Sequence, residues 1–164
     1  MNKPEQKAIE QVANLMCASA RTAPKARGID NIETLIVKKE KITRLARVMQ
    51  KIAQLKNRHF FARDAQNILK CDIVVLIGTK IKPMGLNCGF CGFKNCDLAK
   101  KHGAICSYNA TDLGIAVGSA VNTAALFHID NRIMYSVGKA ALDLGFFKKG
   151  VKIAFNPSSY IIKK

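Results

Sequence analysis

The run Ile73-Val74-Val75-Leu76-Ile77 determines more of the predicted architecture than any other segment of this chain. Five consecutive aliphatic residues, four of them β-branched, are typical of a strand, and a strand with apolar side chains on both faces must be covered on both sides. Outward from this run, strand patterns alternate with helical patterns. The alternation predicts an α+β or layered α/β fold, and 164 residues suit a single domain spanning residues 1–164.

Apolar residues that recur at helical spacing, or in short β-branched runs, predict the other elements. Helices are expected at residues 5–20, 41–55, 60–69 and 139–144, and further strands at residues 32–37, 133–137 and 151–155. The run from residue 113 to residue 127 is apolar on nearly every side, so it predicts a central, buried helix with Asp112 as its N-cap. Asp130-Asn131 is typical of a turn.

Four of the six cysteines lie within nineteen residues, in a segment that we call the cysteine loop (residues 83–107). They are Cys88, Cys91, Cys96 and Cys106, with the spacing Cys-x2-Cys-x4-Cys-x9-Cys. Thiolates this close together are typical of a soft metal centre. Gly89 and Gly92 follow the first two cysteines, and glycine lets a backbone curl around such a centre. We therefore predict that these four cysteines bind a metal.

Three chemistries compete for these cysteines. A four-cysteine zinc site usually has two Cys-x2-Cys pairs, and only one is present here. Three cysteines on one loop and a fourth further on suit a 4Fe–4S cluster better, while a disulfide framework is least favoured in a chain without a recognisable signal peptide. His102 is an alternative ligand, although a solvated histidine is the simpler interpretation. Cys17 and Cys71 are expected to be buried small apolar residues.

Composition and charge narrow the functional classes. No apolar run reaches membrane-spanning length and no targeting peptide is recognisable, so we expect a cytoplasmic protein with no membrane partner. The net charge is +16, from 27 Lys+Arg against 11 Asp+Glu, which implies an acidic partner, a nucleic acid or an anionic cofactor. Arg44, Arg47 and Lys51 share one face of a predicted helix. That face is either solvated or docks an acidic redox partner protein, and nucleic acid is less favoured because no nucleic-acid motif is present.

Four stretches carry a resemblance to a known family. They are residues 20–26 (Ala-Arg-Thr-Ala-Pro-Lys-Ala), the cysteine loop, residues 112–116 (Asp-Leu-Gly-Ile-Ala) and residues 130–138 (Asp-Asn-Arg-Ile-Met-Tyr-Ser-Val-Gly). In these stretches the chain resembles the ferredoxin-domain-containing proteins of unknown function found in bacteria and archaea. The resemblance implies cluster binding and does not supply a reaction. The first three cysteines also resemble those of small 4Fe–4S domains in redox complexes, whose last cysteine usually lies further away than Cys106.

A second resemblance concerns the order of elements. A helix, a loop at Ala23-Pro24, a strand, the strand at residues 73–77 and the helix after Asp112 follow the order of FMN-dependent nitroreductases. This resemblance implies a nitroreductase-like mixed sheet flanked by helices, an inserted iron–sulfur loop at residues 83–107, bound FMN and a homodimer. Nitroreductases hold the flavin phosphate with an Arg-Arg-Ser segment that this chain lacks. Three cations could bind the FMN phosphate instead, or form a solvated loop: Arg21, Lys25 and Arg27.

The sequence therefore predicts an iron–sulfur redox protein that carries one 4Fe–4S cluster on a nitroreductase-like scaffold. It would act as an electron carrier or sensor, or as an oxidoreductase if FMN is also bound. The alternative is a zinc-stabilised structural or nucleic-acid-binding module.

Overall fold

The computed structural model describes the backbone of residues 3–160 and the side chains of residues 3–157. Six α-helices and four strands follow one another along this part of the chain, with one short 3-10 helix at Ala26–Gly28. They are α1 (Lys3–Thr22), β1 (Ile32–Val37), α2 (Lys39–Leu55), α3 (His59–Leu69), β2 (Ile73–Lys80), α4 (Cys96–Lys101), α5 (Ser107–Leu126), β3 (Asp130–Met134), α6 (Tyr135–Asp143) and β4 (Val151–Tyr160). The predicted α+β class is confirmed.

The four described strands form one sheet in the order β1-β2-β4-β3, and every neighbouring pair is antiparallel. The predicted mixed sheet is therefore wrong in its strand directions. The connection between β1 and β2 explains why these two strands are antiparallel. A single crossover helix would return the chain to the end where the first strand began, and the second strand would then run parallel to the first. Here two helices, α2 and α3, connect the strands, so the chain crosses twice and the second strand runs in the opposite direction.

The central strand β2 divides the apolar core into two parts. Val74 and Leu76 pack into one cluster with α2, α3 and α6. The alternate residues of the strand, Ile73, Val75 and Ile77, pack into the other cluster with α1 and α5. Because side chains alternate along a strand, one aliphatic run supplies both clusters. Burying each such side chain contributes about 1.5–3 kcal/mol. The predicted coverage of this strand on both faces is confirmed.

Helix α6 lies directly against the backbone of β4, and Gly138 makes this approach close. A Cβ atom built on Gly138 would lie 1.9 Å from the carbonyl oxygen of Ala154 and 2.9 Å from the amide nitrogen of Phe155. Only a glycine leaves room for the strand at this position. At β4, the backbone of α6 therefore packs directly on the backbone of the strand and covers the sheet face that carries the first cluster.

Helix α5 differs from its prediction in two respects. It begins at Ser107, several residues before the predicted start, and Asp112 lies inside the helix and is buried. The predicted burial on all sides is also wrong, because only one side of α5 packs against α1 and the sheet. The other side, with Gly114, Ile115 and Gly118, is exposed in the part of the chain that the structure describes.

The starts of two elements after α5, β3 and α6, also differ from their predictions. Asp130 begins strand β3 by pairing with Tyr160 of β4, so the predicted turn at Asp130-Asn131 is wrong. The chain reverses just before it, where the amides of His128 and Ile129 donate to carbonyls of the last turn of α5. Helix α6 begins at Tyr135, within the residues predicted to be a strand.

Candidate metal centre

The four cysteines of the predicted site line one pocket, which is enclosed by residues of the cysteine loop. Cys96 is the first residue of α4 and Cys106 immediately precedes α5, so helix starts hold two of the four thiols. Cys106 is only 6% exposed, Cys91 and Cys96 are half-buried, and Cys88 faces solvent. The spacing in the sequence therefore corresponds to proximity in space, with one side of the pocket open.

Asn87 closes the first part of the cysteine loop. Its backbone N–H donates to the Sγ of Cys96 at 3.4 Å, and its Oδ1 accepts the backbone N–H of Cys96 at 2.9 Å. These two contacts join the residue before Cys88 to the third cysteine. A backbone N–H directed at a cysteine sulfur stabilises negative charge on that sulfur, which is what a metal-bound thiolate carries.

Backbone conformation shapes the turn between the first two cysteines. Gly89 and Gly92 have φ angles of 75° and 82°, in the left-handed region that favours glycine, and the Gly92 N–H donates to the Gly89 carbonyl at 2.8 Å. At the third cysteine, the side chain of Asn95 caps α4 by accepting the N–H of Leu98 at 2.9 Å. Local contacts thus fix the backbone around the first three cysteines of the loop.

The donor set fits a soft metal centre in its chemistry. Four thiols line one pocket, and one sulfur accepts a backbone N–H. Within residues 3–160, however, no three or more Cys, His, Asp or Glu side chains lie close enough together to hold a single metal ion. The assignment of Cys88, Cys91, Cys96 and Cys106 as ligands stays a prediction.

The start of the cysteine loop is anchored to the scaffold by residues that the sequence analysis did not single out. Asn109, in α5 and fully buried, accepts the N–H of Lys82 at 2.8 Å through its Oδ1. Its Nδ2 lies 3.9 Å from the sulfur of Met84, and the Nδ2 of Asn31 contacts the same sulfur at 3.9 Å. No local pattern predicts these contacts, because the partners are 25 or more residues apart.

The basic loop (residues 21–28) lies at the C-terminal end of α1, and Asp30 organises its cations. Arg21 forms an ion pair with Asp30 and donates to the Ile32 carbonyl at 2.6 Å. The ammonium group of Lys25 donates to the carbonyls of Ala20, Arg21 and Ala23, and lies 3.8 Å from Asp30. Lys25 therefore caps the helix, and only 4% of its side chain is exposed.

The acidity of Asp30 reflects opposing effects. Partial burial raises the pKa of this carboxyl group, but hydrogen bonds from the Arg21 guanidinium and the Ile32 N–H, together with the charges of Arg21 and Lys25, outweigh it and lower the pKa below its usual value. Asp30 therefore keeps its negative charge beside the cations. An anion that approached Arg21 would compete with this carboxylate.

Arg27 joins the basic loop to the cysteine loop. Its guanidinium donates to the Met84 carbonyl at 2.7 Å, and its own backbone is left-handed, with a φ of 56°. The neighbouring Ala26 N–H donates to the buried carboxylate of Asp112 in α5 at 3.0 Å. The predicted N-cap thus serves a partner 86 residues away. We call these contacts the junction; they place the two candidate cofactor loops side by side.

The remaining predicted residues have simple environments. Cys71 is buried, as predicted, whereas Cys17 is only half-buried, packed against the second apolar cluster, and burial raises its pKa. His102 is exposed and stacks on Phe93 at 5.5 Å between ring centroids, and it does not line the pocket of the four cysteines. The three cations of the predicted docking face, Arg44, Arg47 and Lys51, are exposed on α2. None of the helices within residues 3–160 is both long and apolar enough to cross a bilayer.

Comparison with known sequences identifies a family and a relative. A family described as uncharacterized proteins containing a ferredoxin domain matches residues 102–157, which include Cys106 but not the first three cysteines. An uncharacterized protein of Archaeoglobus fulgidus is 40% identical over 152 residues, which cover 87% of this chain and 82% of the relative. The family description supports a redox-related role.

Solved structures share the fold. A BluB-like flavoprotein of Clostridium difficile superposes with a TM-score of 0.63 at 16% identity, covering 94% of this chain and 83% of the other. A nitroreductase-like protein of Bacillus cereus gives 0.64 at 9% identity, with coverage of 94% and 75%. A nitroreductase with bound FMN from Desulfitobacterium hafniense gives 0.60 at 10% identity, with coverage of 94% and 80%. The nitroreductase-like fold predicted from the sequence is therefore confirmed.

Proposed function

Because the chain belongs to the family of uncharacterized proteins that contain a ferredoxin domain, we propose that it is a cytoplasmic redox protein that binds one 4Fe–4S cluster through Cys88, Cys91, Cys96 and Cys106. The observation that carries the proposal is that all four cysteines line one pocket. Such a cluster, when bound, accepts and donates one electron at a time.

The residues of the chain hold and tune this site in three ways. The four thiolates supply the ligands, and the Asn87 N–H places a partial positive charge against the Cys96 sulfur. The 20-residue helix α5 begins immediately after Cys106, and the positive end of its dipole favours negative charge there. Cys88 faces solvent while Cys106 is buried, so electrons would enter and leave from the Cys88 side.

FMN is the second cofactor of the proposal and would make the protein an oxidoreductase. A neighbour in the same fold has bound FMN, and the basic loop supplies cations to hold a phosphate. Arg21 is accessible, with 45% of its side chain exposed. All three cations already have partners: Arg21 pairs with Asp30, and Lys25 and Arg27 donate to backbone carbonyls. A phosphate would therefore share or replace these contacts.

A homodimer, as the nitroreductase resemblance implies, is also part of the proposal. It is supported by the exposed side of α5, where Gly114, Ile115 and Gly118 present an apolar surface. A second copy could cover this side at close range, because a Cβ at either glycine would meet no atom within 4 Å in a single chain.

The decisive experiment is anaerobic reconstitution with iron and sulfide, followed by metal and sulfide analysis and visible and electron paramagnetic resonance spectra. We expect four iron and four sulfide atoms per chain, approximately, and broad visible absorption. The Cys91→Ser variant should lose most of its iron, while the matched Cys17→Ser variant, outside the pocket, should keep it. Equal loss in both variants would refute the ligand assignment.

The same measurements distinguish the iron–sulfur protein from the alternative, a zinc-stabilised module. A colourless protein that binds about one zinc ion per chain tightly, and loses it in the Cys91→Ser variant, would support a zinc-stabilised structural or nucleic-acid-binding module instead.

A further inference from the structure

We propose that the surface around the cysteine pocket is the docking site of an acidic electron-carrier protein, and that the basic side of α2 is not. We call this surface the cysteine face. It consists of exposed residues within one or two positions of those that line the pocket: Leu86, Phe90, Leu98, Ile105, Lys94, Lys100 and Lys101. The inference rests on the proposed function, since it names a partner for the same site.

The apolar part of the cysteine face is the first support. Four large apolar side chains are exposed there, and each is the chain neighbour of a residue that lines the pocket. Phe90, between Cys88 and Cys91, is 73% exposed and stacks on Tyr108 at 5.9 Å between ring centroids. A ring held in place but left open to solvent is typical of an interface anchor rather than of a core residue. Electron-transfer complexes need only small interfaces, which a patch of this size can supply.

Charge gives the chemistry of the partner. Residues 81–107 contain four lysines, all exposed, and one acid, Asp97. Exposed lysines interspersed with exposed apolar residues are complementary to an acidic surface that also carries apolar residues. Such complementarity accelerates encounter and fixes orientation more than it adds affinity. A weakly bound, fast-exchanging acidic carrier is the partner that this arrangement fits.

The layers of the fold separate the cysteine face from the other basic surface. Helix α2 packs on the sheet face that carries Val74 and Leu76, whereas α5, which starts at the pocket, packs on the opposite face. Arg44 and the helix that starts at the pocket therefore belong to opposite faces of the sheet. A carrier docked on α2 would lie on the sheet face opposite to α5, while one docked on the cysteine face would lie against the exposed Cys88.

The proposed step is a single electron transfer. The reduced carrier loses one electron, the iron–sulfur centre of this protein gains it, and no proton or covalent bond is exchanged. A small acidic flavodoxin, reduced chemically, serves as the probe carrier.

The test compares two triple charge reversals in the cluster-loaded protein. One, Lys94→Glu, Lys100→Glu and Lys101→Glu, changes the cysteine face. The other, Arg44→Glu, Arg47→Glu and Lys51→Glu, changes α2 and alters the net charge by the same amount. Affinity for the oxidised flavodoxin is measured by calorimetric titration at low and high salt, and reduction by the reduced flavodoxin is followed by stopped flow.

At low salt, we expect the triple variant of the cysteine face to bind flavodoxin about tenfold more weakly, or worse, and to be reduced more slowly by a similar factor. The difference from the parent protein should shrink at high salt. The triple variant of α2 should change the affinity and the reduction rate by about twofold at most. A triple Lys→Gln variant of the cysteine face keeps the test valid if the Glu variant loads poorly. Equal losses in both triples, a larger loss in the α2 triple, or no salt-sensitive binding of the parent protein would overturn the proposal. Failure of the proposed function itself is recognised separately, by the iron and sulfide content.

Discussion

Replacing Gly138 with alanine should destabilise the fold strongly, although alanine is the better helix former. The new methyl group would start 1.9 Å from the Ala154 carbonyl oxygen and 2.4 Å from its carbonyl carbon, whereas ordinary contacts begin near 3.4 Å. Helix α6 would have to retreat by about 1.5 Å, since β4 is paired with β2 on one side and β3 on the other and cannot move freely.

The expected magnitude follows from two opposing effects. Overpacking usually costs about 1–3 kcal/mol, and contact with fixed backbone belongs at the upper end of that range or beyond. The helix preference for alanine over glycine offsets about 1 kcal/mol of this cost. We therefore expect a net loss of about 2 kcal/mol or more in the free energy of unfolding, and a Tm lower by roughly 4–8 °C for a chain of this length.

Urea and thermal unfolding of the cluster-loaded protein, followed by far-UV circular dichroism, measure this change. A Gly138→Ala variant that is as stable as the parent protein would refute the packing of α6 on β4. The companion variant Gly114→Ala carries the same chemical change in α5, where a Cβ meets nothing within 4 Å in a single chain. A gain of up to about 1 kcal/mol in the free energy of unfolding would show that this side of α5 is open and would contradict the proposed homodimer contact. A loss there would instead support the homodimer.

Three further predictions concern the two loops. Cys96→Ser should lower bound iron sharply while Cys71→Ser should not, by iron analysis after anaerobic reconstitution; equal loss would contradict the ligand set. Arg21→Ala should weaken FMN binding by about 1.5–3 kcal/mol, roughly ten- to a hundredfold, in a fluorescence titration, and a parent protein that binds no FMN at tens of micromolar would remove flavin from the proposal. Because the pKa of Asp30 is lowered in the folded state, its stabilising contribution is complete above the unfolded-state pKa and is lost as the pH falls through the folded-state pKa. Asp30→Asn should therefore flatten the acid side of the stability profile, and an unchanged profile would contradict that role.

Sequence patterns predicted the strands whose formation depends mainly on their own residues. The aliphatic run of β2 and the β-branched run of β1 start where they were expected, at Ile73 and Ile32, because a strand that packs on both faces or lies beside such a strand shows this in its own residues. The four cysteines likewise line one pocket because short spacing limits how far apart they can lie.

Features that depend on distant partners were missed. Asp112 looked like an N-cap, but its carboxylate accepts the N–H of Ala26, and α5 already begins five residues earlier, at Ser107. Asp130 looked like a turn residue, but pairing with Tyr160 makes it part of β3. Arg27 looked like one of three equivalent cations, and only the fold brings it to the Met84 carbonyl. In each case the sequence carries the residue type but not the partner that determines its role.

The junction bears on how the protein would acquire its metal during biogenesis. Small zinc modules remain unfolded until the ion arrives, because the metal supplies the energy that their cores lack. Here the segment entering the cysteine loop is already held by protein contacts, from Asn109 to the Lys82 N–H and from Arg27 to the Met84 carbonyl. A newly made chain could thus complete its sheet and both apolar cores first, and present an assembled acceptor to whatever machinery delivers iron and sulfide. Chelation would then empty the loop and leave the scaffold standing, so that the same molecule could be refilled after oxidative damage rather than degraded.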